Sequence, residues 1–129
     1  MSHIVRIRTQ LREREHVADA LRDMGLKVSE GEDLPVRGDG RETVTAEIVA
    51  ETGCDYPVGL RRSGDRYEIV ADWYRVELHT DLRRGSFCER LQQAYSRRIV
   101  LAQARAQNLV VEEERQEDGE IVILLSERE

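Results

Sequence analysis

The first pattern in the chain is an alternation of apolar and polar residues over residues 3–8, which predicts a half-buried strand. Apolar residues then recur at helical spacing between Leu11 and Met24, with charged residues on the opposite side. Gly25 follows at the position where a helix commonly ends in a left-handed residue. A short stretch over residues 26–30 predicts a second strand, so the chain opens as a β-α-β unit.

The middle of the chain has the pattern of a loop followed by three strands. Residues 30–42 contain three glycines and a proline, and this composition predicts a flexible loop. Alternation over residues 44–50 predicts the third strand. Ser63, Gly64 and Asp65 mark a turn between a fourth strand and a fifth, which therefore form a hairpin.

The period of two divides this hairpin into an apolar face and a charged face. The apolar face consists of Tyr56, Val58, Leu60, Tyr67, Ile69, Ala71 and Trp73. The charged face consists of Arg61, Arg66, Glu68 and Asp72. Arg62 falls on the apolar face but close to the turn, where its side chain can reach solvent. If the fifth strand continues, Tyr74 lies opposite Trp73 and needs cover outside the main core.

A second helix and a second hairpin complete the chain. The segment from Ser86 to Glu89 matches a capping box, in which two side chains satisfy free backbone donors at the start of a helix. The pair Asp118 and Gly119 is a strong hairpin signal. The apolar run over residues 121–125 predicts a central strand with both faces covered.

The predicted order of elements is β-α-β-β-β-β-α-β-β, which indicates a single α+β domain spanning residues 1–129. Its sheet is expected to be antiparallel-rich, with the two helices packed on one face. Composition adds that the core is mainly aliphatic, because aromatic residues make up only 5% of the chain. Charged residues make up 36% and both signs are mixed, so the surface is rich in ion pairs.

The formal net charge of −6 argues against a general binder of phosphate backbones, which needs a basic excess. No apolar run approaches the roughly 20 residues needed to span a bilayer, so no membrane association is expected. Charged residues near the N-terminus stand where a signal peptide has its apolar stretch. The expected location is therefore the cytoplasm, with Cys54 and Cys88 as reduced thiols.

Several segments resemble a known family, among them "VRGDGRETVTAEIV", "YPVGLRRSGDRYEIVADWYRV" and "VVEEERQEDGEIVI". They are similar to a small uncharacterised family of cyanobacteria, other bacteria and plastid genomes, whose plastid members are named hypothetical chloroplast reading frame thirty-five. The similarity runs through nearly the whole chain in the same order. The resemblance implies a cytoplasmic or stromal α+β protein without established catalytic residues, and it suggests an accessory role beside an ATPase.

Catalytic and metal-binding patterns are largely missing from the sequence. There is no G-x-S-x-G elbow and no phosphate-binding loop, so the chain is not expected to be an enzyme. His3, His16 and His79 are scattered, and neither cysteine belongs to a C-x-x-C pair, so neither a metal nor a cofactor is expected. Cys88 lies in the first turn of the second predicted helix, where the helix dipole favours a thiolate, and thiol chemistry there is one hypothesis.

The leading hypothesis is a non-enzymatic adaptor or assembly domain that binds another protein. The proposed contact residues are Arg61, Arg66, Asp72 and Tyr74, because arginine and aromatic side chains are the usual anchors of interfaces. The sequence leaves the oligomeric state and the strand order open.

The alternative is a nucleotide- or RNA-binding module that uses Arg61, Arg62 and Arg66, with Arg6 and Arg8 on the same polar sheet face. Arginine beside aromatic side chains can clamp phosphates and stack on bases. Against this stands the simpler interpretation that such arginines pair with carboxylates across the strands. The acidic total favours a protein partner over a nucleic acid.

Overall fold

A computed structural model describes residues 3–128, which contain three helices and seven strands. In chain order the elements are β1 (Ile4–Arg8), α1 (Arg14–Asp23), β2 (Val28–Arg37), β3 (Thr43–Ala50), β4 (Val58–Ser63), β5 (Arg66–Asp72), α2 (Trp73–His79), α3 (Arg84–Ala106), β6 (Leu109–Glu117) and β7 (Glu120–Glu127). Strands β1 to β5 form an antiparallel sheet in the order β1-β5-β4-β3-β2, and β6 and β7 form a separate two-stranded sheet. The predicted α+β class with an antiparallel-rich sheet is confirmed.

One face of the five-stranded sheet packs against α1 and α3 and forms the main core. The apolar face predicted for the β4–β5 hairpin lies in this core, where Tyr67, Ile69 and Trp73 are at most 3% exposed. The Trp73 ring meets the edge of Phe87 from α3 at a centroid distance of 5.3 Å. Burying side chains of this size stabilises the fold by about 1.5–3 kcal/mol each, so Trp73 is a core anchor, as the pattern indicated.

The opposite face of the sheet, called the reverse face below, is covered in part by the β2–β3 hairpin. Val36, Ala46 and Val70 are buried there in a second, smaller core. Strand β3 pairs with β4 only at residues 48–50, so the rest of the hairpin is free to bend across β4. Gly59 allows the close approach, since a Cβ at this position would lie 2.4 Å from Val36 Cγ2 and 2.9 Å from Ala46 Cβ.

The flexible loop predicted for residues 30–42 is wrong, because β2 continues through most of it. The strand pairs with β3 as far as Arg37, with one irregularity between Glu30 and Leu34. Pro35 is compatible with this pairing because β2 is an edge strand, where the missing N–H can face away from the sheet. Only the short tip after Arg37 forms the turn of the hairpin.

Strand β5 ends at Asp72, so the arrangement considered for a longer strand, with Tyr74 opposite Trp73, does not occur. Helix α2 begins at Trp73, and the Asp72 carboxylate caps it by accepting the backbone N–H of Arg75 at 3.1 Å. The change from strand to helix turns the chain at this point. It leaves Trp73 in the core and places Tyr74 in solvent.

The capping box predicted for the long helix is not formed. Helix α3 begins at Arg84, and Ser86 lies inside its first turn, where the hydroxyl donates to the carbonyl of Arg83. The Arg83 side chain does not cap the helix, and the Glu77 carboxylate instead accepts the backbone N–H of Arg84 at 2.8 Å. The predicted C-terminal ends of both helices are confirmed. Asn108 after α3 has φ +57° and Gly25 after α1 has φ +84°, so both residues are left-handed as expected.

The final hairpin forms at the predicted turn, but its second strand is not central. Asp118 and Gly119 both have positive φ, as a two-residue hairpin turn requires. Strand β7 pairs with β6 in a two-stranded sheet, and Leu124 and Leu125 are 43% and 37% exposed. The continuous apolar run therefore packs on α3 through one side only.

Candidate functional site

The charged face predicted for the β4–β5 hairpin lies on the reverse face of the sheet, and β1 extends it. Arg8, Glu68 and Arg61 are neighbours across β1, β5 and β4, because the register pairs Glu68 with both arginines. Arg6 and Arg66 point to the same side, two residues from members of this row. We call this group, Arg6, Arg8, Arg61 and Arg66 around Glu68, the arginine face.

The arginine face is open to solvent. Arg6 and Arg8 are exposed, and Arg61 and Glu68 are half-buried. The sequence suggested an ion pair between Arg61 and Glu68, and the register does place them opposite each other. Among the described residues, however, no salt bridge within 4.0 Å engages Glu68 or the guanidinium groups of Arg6, Arg8 and Arg61, so these three guanidinium groups are available to a ligand. Arg66 is already engaged by Asp65 and Gln10.

A depression of about 430 Å³ lies at the edge of the arginine face. It is lined by Arg8, Thr9, Gln10, Ser63, Arg66, Tyr67 and Glu68. The Arg66 guanidinium donates to Gln10 Oε1, and its Nε lies 3.8 Å from Asp65 Oδ1. The Tyr67 side chain lies in the main core, on the other face of the sheet, and its hydroxyl donates to the Glu47 carboxylate at 3.0 Å. Burial, together with this hydrogen bond, raises the pKa of Tyr67 to about 12.

Arg62 belongs to the other face of the hairpin. Its guanidinium carbon lies 4.6 Å from the centroid of the Tyr67 ring, and the group donates to the carbonyl of Arg12 at 3.0 Å. Arg62 therefore reaches solvent from the edge of the apolar face, as its position near the turn indicated. The three arginines of the RNA-binding hypothesis do not form one cluster, because only Arg61 and Arg66 share a face.

The other half of the reverse face is closed by the tip of the β2–β3 hairpin. Asp72 has no exposed surface, and its Oδ2 accepts the backbone N–H of Asp39 at 2.9 Å. The Asp39 carboxylate in turn pairs with the Arg75 guanidinium at 3.0 Å, and this hydrogen bond lowers the pKa of Asp39 below its ordinary value. Asp72 was a candidate contact residue, but burial makes it part of the fold instead.

Tyr74 lies on α2, apart from the arginine face. It is 60% exposed, and its ring lies 5.3 Å from that of His3 and 5.7 Å from the guanidinium carbon of Arg75. Arg66 and Asp72 stand at opposite ends of β5, which separates their backbones by about 20 Å at the usual rise of a strand. The structure thus keeps Arg61 and Arg66 together and separates Tyr74 from them.

Strand pairing supplied what the sequence alone could not. Arg6 and Arg8 were expected to share a polar face, but nothing in the pattern stated that β1 lies beside β5. The pairing of Arg8 with Glu68 joins positions that are 60 residues apart in the chain. The N-cap role of Asp72 had a usable signal, since aspartate is a preferred residue immediately before a helix.

The described cysteines and histidines do not form a second candidate site. Burial raises the pKa of the half-buried Cys88 thiol, which disfavours the thiolate that nucleophilic chemistry needs. The Cys54 sulfur lies 3.2 Å from the hydroxyl of Thr52.

Within residues 3–128, no cluster of three or more histidine, cysteine or carboxylate side chains is placed to hold a metal ion. In the same range, no helix has the length and apolar character needed to cross a membrane.

Fold and site together define a class of protein: an α+β domain whose sheet is covered by helices on one face and carries open arginines on the other. The chain belongs to the family described as protein of unknown function (DUF1257), which matches residues 20–124. The expected membership in an uncharacterised family is thereby confirmed, and the finer resemblance to the plastid reading frame stays a prediction. Comparison with curated proteins and with solved structures gave no match.

Proposed function

We propose that the protein is a non-enzymatic binding domain that docks an acidic segment of another protein on the arginine face. The observation that supports this proposal is a group of four arginines around Glu68 on an open sheet surface, in a chain with a net charge of −6. Guanidinium groups bind carboxylates in a bidentate geometry and are weakly hydrated for a cation, so they suit a protein interface. Opposite charge also steers an acidic partner to this surface.

The proposed contact set differs from the one expected from sequence. Arg61 and Arg66 stay in it, and Arg6 and Arg8 join them across β1. Asp72 leaves the set because it is buried, and Tyr74 leaves it because it stands on α2. An accessory role beside an ATPase stays a prediction from the family resemblance.

A protein partner suits this surface better than a single-stranded nucleic acid. Modules that bind single strands on a sheet combine basic groups with aromatic side chains on which bases stack. The arginine face has no aromatic member, since Tyr67 and Trp73 are directed into the main core. The acidic total also opposes binding of a phosphate backbone.

The test compares an acidic peptide rich in glutamate with a single-stranded RNA of equal charge, both fluorescently labelled. Fluorescence anisotropy measures their binding to the wild type and to an Arg8→Ala/Arg61→Ala variant. A Lys27→Ala/Arg41→Ala variant is the matched control, since both side chains are exposed and lie outside the arginine face. We expect the peptide to bind wild type and control equally and the arginine variant at least about tenfold more weakly.

Two results would overturn the proposal. One is equal peptide binding by the wild type and the Arg8→Ala/Arg61→Ala variant, which would place the contact elsewhere. The other is binding of the RNA but not of the peptide at physiological ionic strength, which would establish the nucleic-acid alternative. Because exposed arginines contribute little to folding, circular dichroism is expected to show the same spectrum for all three proteins.

A further inference from the structure

The β6–β7 hairpin carries an acidic excess as large as that of the whole chain. Residues 109–127 contain seven carboxylates and one arginine, so the net charge of this segment is −6. The complete chain has the same formal net charge, and the remaining residues therefore balance to zero. The hairpin and the arginine face are thus regions of opposite charge within one protein.

Part of the negative charge on the hairpin is already neutralised within the chain. Arg97 of α3 pairs with Glu114, and Arg115 pairs with Glu113 at 2.8 Å and with Glu117 at 2.7 Å. A second group of carboxylates is exposed and has no ion-pair partner among the described residues. This group consists of Glu112, Asp118, Glu120 and Glu127.

The hairpin is also only half covered by the rest of the chain. Ile121 and Ile123 line a groove on α3, while Val111, Leu124 and Leu125 are 38%, 43% and 37% exposed. A two-stranded ribbon has two unpaired edges, and such edges favour pairing with another strand. The hairpin therefore combines free carboxylates, exposed apolar side chains and open strand edges.

The two charged regions cannot meet within one chain. Helix α3, on which the hairpin packs, covers the face of the sheet that contains the main core. The arginine face lies on the reverse face, so the sheet and the helix layer stand between the two regions. Any contact between them must join different copies of the chain.

We infer that copies of this chain associate head to tail, with the β6–β7 hairpin of one copy docked on the arginine face of the next. This inference rests on the proposed function, because it identifies the acidic segment that the arginine face binds. Charge complementarity favours the pairing, and β1, which carries Arg6 and Arg8, is an edge strand that can receive a strand of the hairpin. The interface is heterologous, so the copies form either a closed ring or an open chain with one surface of each kind free at its ends.

The test uses two charge-reversed variants of the full chain. Glu112→Lys/Glu120→Lys alters the hairpin, and Arg8→Glu/Arg61→Glu alters the arginine face. We expect each variant to be monomeric in sedimentation velocity under conditions where the wild type associates. An equimolar mixture of the two is expected to associate, because one chain retains the intact arginine face and the other retains the intact hairpin.

The charge-matched control is Lys27→Glu/Arg41→Glu, which changes the net charge as much as the arginine variant does. It is expected to associate like the wild type, and each reversed variant is expected to weaken association at least about tenfold. Added salt is expected to dissociate the wild-type assembly, because exposed charges are screened. Circular dichroism and thermal melting check that every variant is folded.

Three results would overturn the inference: a wild type that is monomeric at every concentration, a mixture of folded variants that stays monomeric, or arginine variants that associate like the wild type. The peptide experiment separates this failure from failure of the proposed function. A monomeric wild type that still binds the acidic peptide through Arg8 and Arg61 would retain the arginine face as a docking site for a different protein. Association that persists without peptide binding would assign the self-contact to another surface.

Discussion

The two halves of the reverse face are built from the same strand, yet they have different roles. In the closed half, the Asp72 carboxylate receives N–H groups from Asp39 and Arg75, and the tip of the β2–β3 hairpin excludes water. In the open half, Glu68 and Arg61 are half-buried and have no ion pair among the described residues. The comparison teaches that a charged position on a strand acquires its role from what covers it.

The physical difference between the halves is the cost of removing a charge. A buried carboxylate that satisfies backbone donors stabilises the fold, because its loss leaves those donors unpaired. Removing an exposed arginine lowers the free energy of unfolding only slightly, because water replaces the contacts of its side chain. Mutations in the closed half are therefore expected to lower the free energy of unfolding, and mutations in the open half are expected to change the affinity for a ligand.

The largest effect is expected from Asp72→Ala in the closed half. The change removes the N-cap of α2 and the acceptor for the Asp39 N–H, and we expect the free energy of unfolding to fall by about 3 kcal/mol. Urea denaturation followed by circular dichroism measures it. Asp72→Asn, which keeps one acceptor oxygen, should lose about half as much. A loss below about 1 kcal/mol for Asp72→Ala would remove the distinction between the halves.

A second effect is expected at Gly59, where the β2–β3 hairpin crosses β4. A methyl group in Gly59→Ala overlaps Val36 and Ala46, so we expect a loss of about 1–3 kcal/mol in the free energy of unfolding. The control is Gly85→Ala in the first turn of α3, where a Cβ meets no atom within 4 Å. That change should be neutral or slightly stabilising in the same denaturation experiment. Equal behaviour of the two variants would contradict the close packing at Gly59.

The ion pair between Asp39 and Arg75 predicts a pH dependence of the closed half. The hydrogen bond from Arg75 lowers the folded-state pKa of Asp39, so its contribution is present above the ordinary value of 3.8 and is lost as the pH falls through the lowered value. The stability difference between the wild type and Asp39→Asn should therefore be constant near neutral pH and shrink in acid. Asp33→Asn, at an exposed position, is the control and should show no such change. A difference that grows in acid would contradict the assignment.

In the open half, Arg8→Ala/Arg61→Ala should leave the free energy of unfolding within about 0.5 kcal/mol of the wild type. The reason is that both side chains lack ion pairs among the described residues, Arg8 is exposed and Arg61 is only half-buried. Thermal denaturation provides the measurement, beside the loss of peptide binding already described. A stability loss as large as that of Asp72→Ala would show that the open half is structural as well.

The smallest and most specific change is Glu68→Gln at the centre of the arginine face. It removes the carboxylate that opposes an acidic ligand, so affinity for the acidic peptide should rise by roughly a few-fold with no change in stability. Fluorescence anisotropy measures the affinity. Reduced affinity would mean that Glu68 orients the arginines, and unchanged affinity would mean that the ligand binds away from β5.

Much of the fold could be predicted, because local patterns report local geometry. Trp73 and Tyr67 were placed on the core face by a period of two, and Asp118 with Gly119 marked a turn that requires positive φ. The error over residues 30–42 arose because a distant segment decided the outcome. The region around Pro35 is a strand because β3 pairs with it, although its composition favours a loop.

The sequence by itself determined which side chains share a face: Arg61, Arg66 and Glu68 stand on one side of their strands because the backbone of a strand alternates. Only the tertiary structure decided that Arg8 joins them, since strand order depends on contacts between segments far apart in the chain. Tertiary structure also buried Asp72 beneath Asp39, a neighbour 33 residues away in sequence. Periodicity records the direction of a side chain, whereas burial depends on which other segment packs above it.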